Sequence, residues 1–190
     1  MSQVLYHFSD RDDISVFRPR APLRHPQAEP LVYAIDDWHA ALYLFPRDCP
    51  RIGVWPIETT SAEDREWFHK QTDARILLFI EQSQEVTWRK EPLYRYDVDP
   101  AHGFFDTGCI GVWTSRDDVT PLGMTTLSDL PTQAELAGVE VLVVPSLLEQ
   151  AMQFFDFETR EFKTSLHVSM IRSSAIPDWP GESAKPIFGR

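Results

Sequence analysis

The feature that most constrains the fold of this chain is an unbroken apolar run at residues 76–80, Ile-Leu-Leu-Phe-Ile. Arg75 and Glu81 bound the run, which is far too short to cross a membrane. A short apolar run between charged residues is typical of a strand that is buried on both faces. We therefore expect a central strand here, with other strands paired beside it.

Weaker patterns predict the remaining elements. Further strands are predicted at residues 3–9, 31–35, 51–55, 92–98, 108–114, 139–144 and 164–171. Helices are predicted at residues 37–45 with Asp36 as the N-cap, from a capping box at residues 60–63 to about Gln71, at residues 129–137 with Gly138 as the stop, and after a capping box at residues 146–149. Strands outnumber helices and do not alternate strictly with them. The predicted fold class is therefore α+β, with mixed or antiparallel sheets and a few helices.

The length of the chain favours one domain. A chain of 190 residues buries roughly 70% of its unfolded surface, enough for a core without disulfides or metal. Two cysteines make no disulfide framework. We expect a single domain over residues 1–172 and an irregular, proline-containing tail over residues 173–190.

The net charge of the chain limits the classes of partner that it can bind. Eighteen Lys and Arg against 29 Asp and Glu give a net charge of −11, which argues against a nucleic-acid groove, since such grooves need clustered cations. No apolar run approaches the roughly 20 residues of a membrane span, and the first nine residues lack the features of a signal peptide. We expect a cytoplasmic protein without membrane contact, and the oligomeric state is left open.

The predicted first strand carries a histidine. His7 shares a strand face with Leu5 and Ser9, opposite Tyr6 and Phe8. Both faces are partly apolar, so the imidazole needs a hydrogen-bond partner. Two interpretations stay open: a core histidine satisfied by the protein, or a histidine that holds a ligand hydroxyl.

Two tyrosines follow this strand closely. Tyr33 lies on the predicted second strand, and Tyr43 lies on the flank of the helix after it. Stacking on an aromatic ring contributes about 1–3 kcal/mol per nucleic-acid base, so these rings suit a planar, sugar-bearing ligand. The helix flank also leaves Tyr43 half-buried if it is purely structural.

Arginines concentrate in the two loops beside these elements. They are Arg18, Arg20 and Arg24 in the proline-rich loop and Arg47 and Arg51 after the helix. Guanidinium groups bind phosphate or carboxylate through paired hydrogen bonds. The alternative is ordinary surface pairing with neighbouring carboxylates, which contributes little to stability. For a dinucleotide ligand, Arg20 and Arg47 are the residues we expect near the pyrophosphate.

The order of these residues resembles that of the His-Tyr-Glu class of ADP-ribosyltransferase folds. In that class a strand carries His, and a second strand leads through an aromatic-Ala segment into a helix with a Tyr. His7, Ala34, Ala41 and Tyr43 match this pattern, over residues 3–45. In the matching register the strand tyrosine of the class aligns with Val32, which places Tyr33 on the other strand face.

The resemblance implies a function. NAD or a related nucleotide would be the substrate. His7 would hold a ribose hydroxyl, Tyr43 would stack on the base, and Tyr33 and Ser9 are further ligand-binding candidates. The class also places a glutamate on a late strand to stabilise the charge that develops as nicotinamide leaves. Glu140 matches it best, and Glu81 is the second candidate.

The opening also resembles that of a bacterial family without an assigned activity. Members begin Leu-Tyr-His-Phe-Ser, here residues 5–9, and carry Phe-Pro-Arg-Asp-Cys-Pro-Arg, here residues 45–51.

Two other functions stay open. A non-catalytic interaction module would use the acidic surface and aromatic residues that fit a partner-binding face as well as a core, namely Trp55, Trp67, Trp88 and Trp113. A thiol-dependent enzyme would use Cys49, because Arg47 and Arg51 beside it favour a thiolate. The histidines and cysteines lack metal-ligand spacing, so we expect no metal.

Overall fold

A computed structural model describes residues 4–22, 26–176 and 178–180. The chain divides into two compact units, each built from two separate segments. The first unit is formed by Met1–Arg47 and Pro92–Ser128, and the second unit by Asp48–Glu91 and Asp129–Arg190. The expectation of a single domain over residues 1–172 stays a prediction.

Strands dominate both units. Within the described residues the strands are β1 (Leu5–Ser9), β2 (Val32–Asp36), β3 (Arg51–Trp55), β4 (Ile76–Glu81), β5 (Leu93–Val98), β6 (Phe105–Asp106), β7 (Val112–Ser115), β8 (Gly123–Leu127), β9 (Val139–Val144), β10 (Phe155–Asp156), β11 (Glu161–Phe162) and β12 (His167–Ile171). The α-helices of the same residues are α1 (Ala62–Gln71), α2 (Gln82–Lys90), α3 (Leu130–Leu136) and α4 (Leu147–Phe154). Short 3-10 turns cover Ala40–Tyr43 and Ser173–Ala175.

The first unit contains a six-stranded sheet in the order β6-β7-β2-β1-β5-β8. Every neighbouring pair is antiparallel. One side, the core face, carries Leu5, Val32, Ala34, Tyr96 and Val98 and is packed with Phe17 and Val119. The other side, which we call the aromatic face, carries Tyr6, Phe8 and Tyr33, since side chains alternate along each strand.

The second unit contains a four-stranded sheet in the order β12-β3-β4-β9. Strand β4 lies inside it, antiparallel to β3 and parallel to β9, and residues 76–80 are all buried. The central strand predicted from the apolar run is therefore confirmed. With helices beside antiparallel and mixed sheets, the α+β class is confirmed as well.

Side-chain caps set the starts of two helices where the sequence predicts them. The hydroxyl oxygen of Ser61 accepts a hydrogen bond from the amide of Asp64, and that of Ser146 accepts one from the amide of Glu149. Each cap satisfies an amide that has no partner within its helix. The first capping residue is Ser61, one position later than the predicted box begins.

The helix predicted at residues 37–45 is wrong in type and length. Only Ala40–Tyr43 forms a helical turn, of the 3-10 kind, with bonds from Leu42 to His39 and from Leu44 to Ala41. Pro46 has no amide hydrogen to extend the helix, so the tighter turn ends before it. Asp36 still accepts a hydrogen bond from the amide of His39, at 2.8 Å.

Several elements differ from prediction or escape it. The sequence analysis missed α2, β8 and the β10–β11 hairpin. The strand predicted at residues 108–114 begins only at Val112, because Gly108 and Gly111 adopt positive φ angles in the preceding turn. In the predicted tail, Ser173–Ala175 forms a 3-10 turn, whereas Pro177 and residues 181–190 lie outside the described residues.

Candidate functional site

His7 is held in one orientation by the neighbouring strand. Its Nδ1 lies 2.7 Å from the backbone carbonyl oxygen of Tyr33. The centroid of its ring lies 4.3 Å from the centroid of the Phe17 ring. A carbonyl only accepts hydrogen bonds, so Nδ1 carries the proton and donates it. The paired register of β1 and β2 ends at Tyr6–Ile35, so this side-chain bond joins the strands just beyond it.

The His7 ring is kept neutral. Burial lowers the pKa of His7, the bond to the Tyr33 carbonyl partly opposes this, and the positive charge of Arg47 lowers the pKa further. With the proton on Nδ1, the lone pair is on Nε2. The ring can therefore accept a hydrogen bond at Nε2 at neutral pH.

The turn after β1 brings Arg47 and Ser9 to the same region. Arg47 Nε donates to Asp10 Oδ1 at 3.1 Å. Burial alone would raise the pKa of Asp10, but hydrogen bonds, the one from Arg47 first, lower it below its usual value. Ser9 is buried, and its hydroxyl accepts from the amide of Arg11 at 3.1 Å. Ser9 thus helps to shape the turn.

The tyrosines lie on the aromatic face. The Tyr43 ring stacks on that of Phe8, with centroids 6.2 Å apart and planes inclined by 16°. Tyr33 is 42% exposed. It lies on the side of the sheet that carries Phe8, because Tyr6 pairs with Ile35 and side chains alternate along both strands. Val32, which the resemblance to the transferases aligns with their strand tyrosine, is buried in the core. Tyr33 and Tyr43 therefore share one side of the sheet without a bulge.

His7 lies on the other side of β1 from this aromatic group. Leu5, His7 and Ser9 alternate with Tyr6 and Phe8, so the imidazole faces the core side and Phe17. The structure joins His7 to Tyr33 through the backbone carbonyl rather than through the two rings.

The described members of the predicted arginine group have different surroundings. Arg20 pairs with Leu31 through backbone atoms and has an exposed side chain, and Arg18 lies 3.8 Å from Asp118 on the surface. Arg51 is buried in the second unit, where its Nη1 donates to the carbonyl of Cys49. Arg24 lies outside the described residues.

Cys49 has the environment of a structural thiol. It is 1% exposed, and burial raises its pKa to about 11 despite the opposing charge of Arg51. The thiolate that a nucleophilic cysteine needs is therefore disfavoured at neutral pH.

Both candidate carboxylates lie in the second unit. Glu140 is the exposed second residue of the edge strand β9 and accepts a hydrogen bond from Thr72 Oγ1 at 2.5 Å. Glu81 ends β4 and accepts a hydrogen bond from the amide of Leu147 at 3.1 Å, at the start of α4. A carboxylate there stabilises the N-terminus of the helix, so Glu81 has a structural role.

The sequence analysis missed a polar group on the aromatic face. Arg95 Cζ lies 4.4 Å from the centroid of the Tyr6 ring, and its Nε donates to Asp97 at 3.2 Å. The Tyr6 hydroxyl donates to Asp37, and burial followed by the charge of Asp37 raises the pKa of Tyr6, with Arg95 opposing. The alternation Tyr-Arg-Tyr-Asp at residues 94–97 is the signal that indicates this group.

The four tryptophans do not form an exposed surface. Trp55 and Trp88 are buried, while Trp67 and Trp113 pack against the cores of the second and first units. Of the two positions that the sequence left open for them, a partner-binding face or a core, the structure shows the core. Among the described residues there is no group of three or more His, Cys, Asp or Glu that could hold a metal ion. None of the helices found there has the length and apolar character to cross a bilayer.

The chain was compared with protein-family models, curated proteins and solved structures. A model described as Family of unknown function (DUF6886) matches residues 6–175, which include most of β1, the residues of the aromatic face and most of the second unit. No curated protein and no solved structure matches the chain. Because the match covers most of its 190 residues, the chain belongs to the Family of unknown function (DUF6886).

Proposed function

We propose that the first unit binds NAD or a related nucleotide on its aromatic face and that the protein transfers ADP-ribose from NAD. The observation that carries the proposal is the gathering of Tyr33, Phe8 and Tyr43 on one side of the sheet, with His7 locked to the backbone of Tyr33. They include His7, Tyr33 and Tyr43, which are three of the residues that the resemblance to the transferases assigns to ligand contact.

The aromatic rings suit a nucleotide for a physical reason. A base or nicotinamide ring that stacks on Tyr33 or on the Phe8–Tyr43 pair gains about 1–3 kcal/mol per ring. Tyr33 is exposed enough to meet such a ring. His7 acts on the aromatic face indirectly, because its Nδ1 fixes the backbone of Tyr33 while the imidazole itself faces the core side of β1. Direct contact of His7 Nε2 with a ribose hydroxyl is proposed on the resemblance alone. Arg20 and Arg47 are the residues proposed earlier for the pyrophosphate.

Transfer adds a chemical step to binding. The bond between ribose C1′ and the nicotinamide nitrogen breaks, and nicotinamide leaves with the electron pair. An acceptor nucleophile then bonds to C1′ and loses its proton. The resemblance assigns the carboxylate that stabilises the positive charge on the ribose to Glu140, on β9 of the second unit. The catalytic step is therefore proposed on the resemblance alone and not on a site shared by the two units.

Binding is tested by calorimetric titration with NAD and with ADP-ribose. We expect wild type to bind both, and His7→Ala and Tyr43→Ala to bind at least one of them more weakly. His102→Ala is the control, since His102 contacts the carbonyl of Asp118 instead. The absence of any heat change at millimolar NAD and ADP-ribose would reject the proposal.

Transfer is tested separately, by release of nicotinamide from NAD. We expect release by wild type and its loss in Glu140→Gln, with Glu149→Gln as the control. Binding without release would show a nucleotide-binding module that lacks catalysis, which is the second function left open by the sequence. A thiol-dependent reaction at Cys49 is not favoured, because burial keeps that thiol protonated.

A further inference from the structure

We infer that Arg95 is the anion-binding residue of the aromatic face and that it receives a phosphate of the nucleotide whose ring stacks beside it. The inference rests on the proposed function and deepens it. It adds a residue of the sheet to the loop residues Arg20 and Arg47 that are proposed for the pyrophosphate.

The strand register places Arg95 beside the stacking rings. Arg95 pairs with Phe8 across β5 and β1, and with Thr125 across β5 and β8. Residues that pair directly across antiparallel strands share a face, with Cβ atoms about 4.5–5.5 Å apart. A ring stacked on Phe8 and Tyr43 would thus have a guanidinium and the Thr125 hydroxyl within reach on the same surface.

The Arg95 guanidinium has hydrogen-bond donors that the described part of the protein does not use. Its Nε donates to Asp97, and its plane lies over the ring of Tyr6. Within the residues that the structure describes, its two terminal amino groups make no hydrogen bond. The side chain is 30% exposed, so it is partly shielded and yet open to a ligand. An arginine with free terminal donors can bind a phosphate through two parallel hydrogen bonds.

Other arginines of the first unit bind carboxylates of the protein itself. Arg11 and Arg116 each bind a carboxylate, of Asp13 and Glu29, through two nitrogens. Arg47 binds Asp10 in the turn after β1. Stacking on Tyr6 also limits the freedom of Arg95, so less entropy is lost when it binds an anion.

The ligand class follows from this pairing of groups. The Phe8–Tyr43 ring pair can stack on a planar ring, and the guanidinium of Arg95 beside it can bind a phosphate joined to that ring. This combination favours nucleotides over nucleosides. We therefore expect Arg95 to contribute to the binding of ADP-ribose and NAD and not to that of adenosine.

The test compares ligands with and without phosphate. Calorimetric affinities for ADP-ribose and adenosine are measured for wild type, Arg95→Gln and the control Arg116→Gln. For Arg95→Gln we expect ADP-ribose affinity to fall about tenfold to a hundredfold, as for lost hydrogen bonds to a charged group, with adenosine affinity unchanged. Arg116→Gln should match wild type for both ligands.

A second variant distinguishes a change in the contact of Arg95 with phosphate from misfolding of the protein. Asp97→Asn removes the carboxylate that competes with a phosphate for Arg95, so ADP-ribose affinity should rise, by about two- to fivefold. A misfolded protein would not gain affinity.

The outcomes separate the two proposals. If wild type binds neither NAD nor ADP-ribose, the nucleotide proposal fails. If wild type binds ADP-ribose and Arg95→Gln binds it equally well, or if Arg95→Gln loses ADP-ribose and adenosine alike, the role of Arg95 is refuted and the aromatic site stands.

Discussion

At the scale of single residues, His7 links the backbone of β2 to the core of the first unit. Its Nδ1–H satisfies the carbonyl of Tyr33 at the point where the paired register of the two strands ends. The position therefore matters to the fold whether or not a ligand reaches Nε2. Stability and ligand binding are separate consequences of one imidazole, and they need separate measurements.

The lowered pKa of His7 makes stability depend on pH. Below its ordinary pKa of 6.5 the unfolded chain takes up a proton at His7 more readily than the folded chain does. The free energy of unfolding should therefore fall as pH decreases below 6.5. His7→Asn keeps a donor for the Tyr33 carbonyl and cannot titrate, so wild type should lose stability relative to it between pH 7.5 and pH 5. Urea unfolding at several pH values measures this difference.

A further substitution separates the charge of His7 from its hydrogen bond. His7→Leu removes both, so it should be less stable than His7→Asn at every pH, with the same flat profile relative to it. A wild-type profile parallel to that of His7→Asn would contradict the lowered pKa.

Two glycines in one turn provide a matched pair. Gly108 and Gly111 have φ angles of +74° and +76°, but a Cβ on Gly108 would meet nothing within 4 Å, whereas one on Gly111 would lie 2.3 Å from Nδ1 of His39. Gly108→Ala should cost about 1–2 kcal/mol of unfolding free energy, from the left-handed backbone alone. Gly111→Ala should cost about 3 kcal/mol or more, since the clash adds to it.

Chemical unfolding of both glycine variants gives the comparison. His39→Ala combined with Gly111→Ala should recover part of the loss by removing the clashing ring. Equal losses for the two single variants would show that the turn shifts to make room for the new methyl group.

Alternation along β2 places Tyr33 and Val32 on opposite faces of the strand, and burial shows that Val32 lies in the core. That result depends on which residues cover each face, which periodicity in one strand does not reveal. Arg95 was missed for a related reason, since its place beside Phe8 comes from pairing between strands far apart in sequence.

At the scale of elements, local chemistry explains the predictions that succeeded. Ser61 and Ser146 cap α1 and α4, and the apolar runs form β4 and β9. Helix α2 was missed because its polar sequence buries only Trp88 and so lacks an apolar stripe. Strand β8 was missed because it is an edge strand with four of its five residues exposed. Neighbouring elements, rather than local pattern, define both.

Glu81 illustrates how one element supports another. Its carboxylate accepts a hydrogen bond from the amide of Leu147 at the N-terminus of α4, where negative charge is favourable. We expect Glu81→Gln to lower the free energy of unfolding by about 1 kcal/mol. Glu85→Gln is the control, since it breaks an exposed pair with Arg89 within α2 and should cost about 0.2–0.5 kcal/mol.

Thermal and urea unfolding of the two glutamate variants measure the difference. Nicotinamide release should be unchanged in Glu81→Gln if Glu140 is the catalytic carboxylate. A loss of release in Glu81→Gln with normal stability would move the catalytic role to Glu81.

At the scale of the whole molecule, chain connectivity interleaves the two units. The chain passes from one unit to the other three times, so neither unit is a continuous piece of sequence. We expect the protein to unfold in a single calorimetric transition, with equal van't Hoff and calorimetric enthalpies. Two resolved transitions would contradict this expectation and the prediction of a single domain over residues 1–172.

The central place of β1 has a consequence for synthesis of the protein. Strand β1 lies between β2 and β5, and β5 follows it by roughly 90 residues, so at about 5–20 residues per second the ribosome delivers β5 some 4–18 s after β1. During that interval the nascent chain exposes one edge of β1 to other nascent chains and to chaperones. The surface we propose for nucleotides can therefore form only late in translation, after Arg95 has emerged.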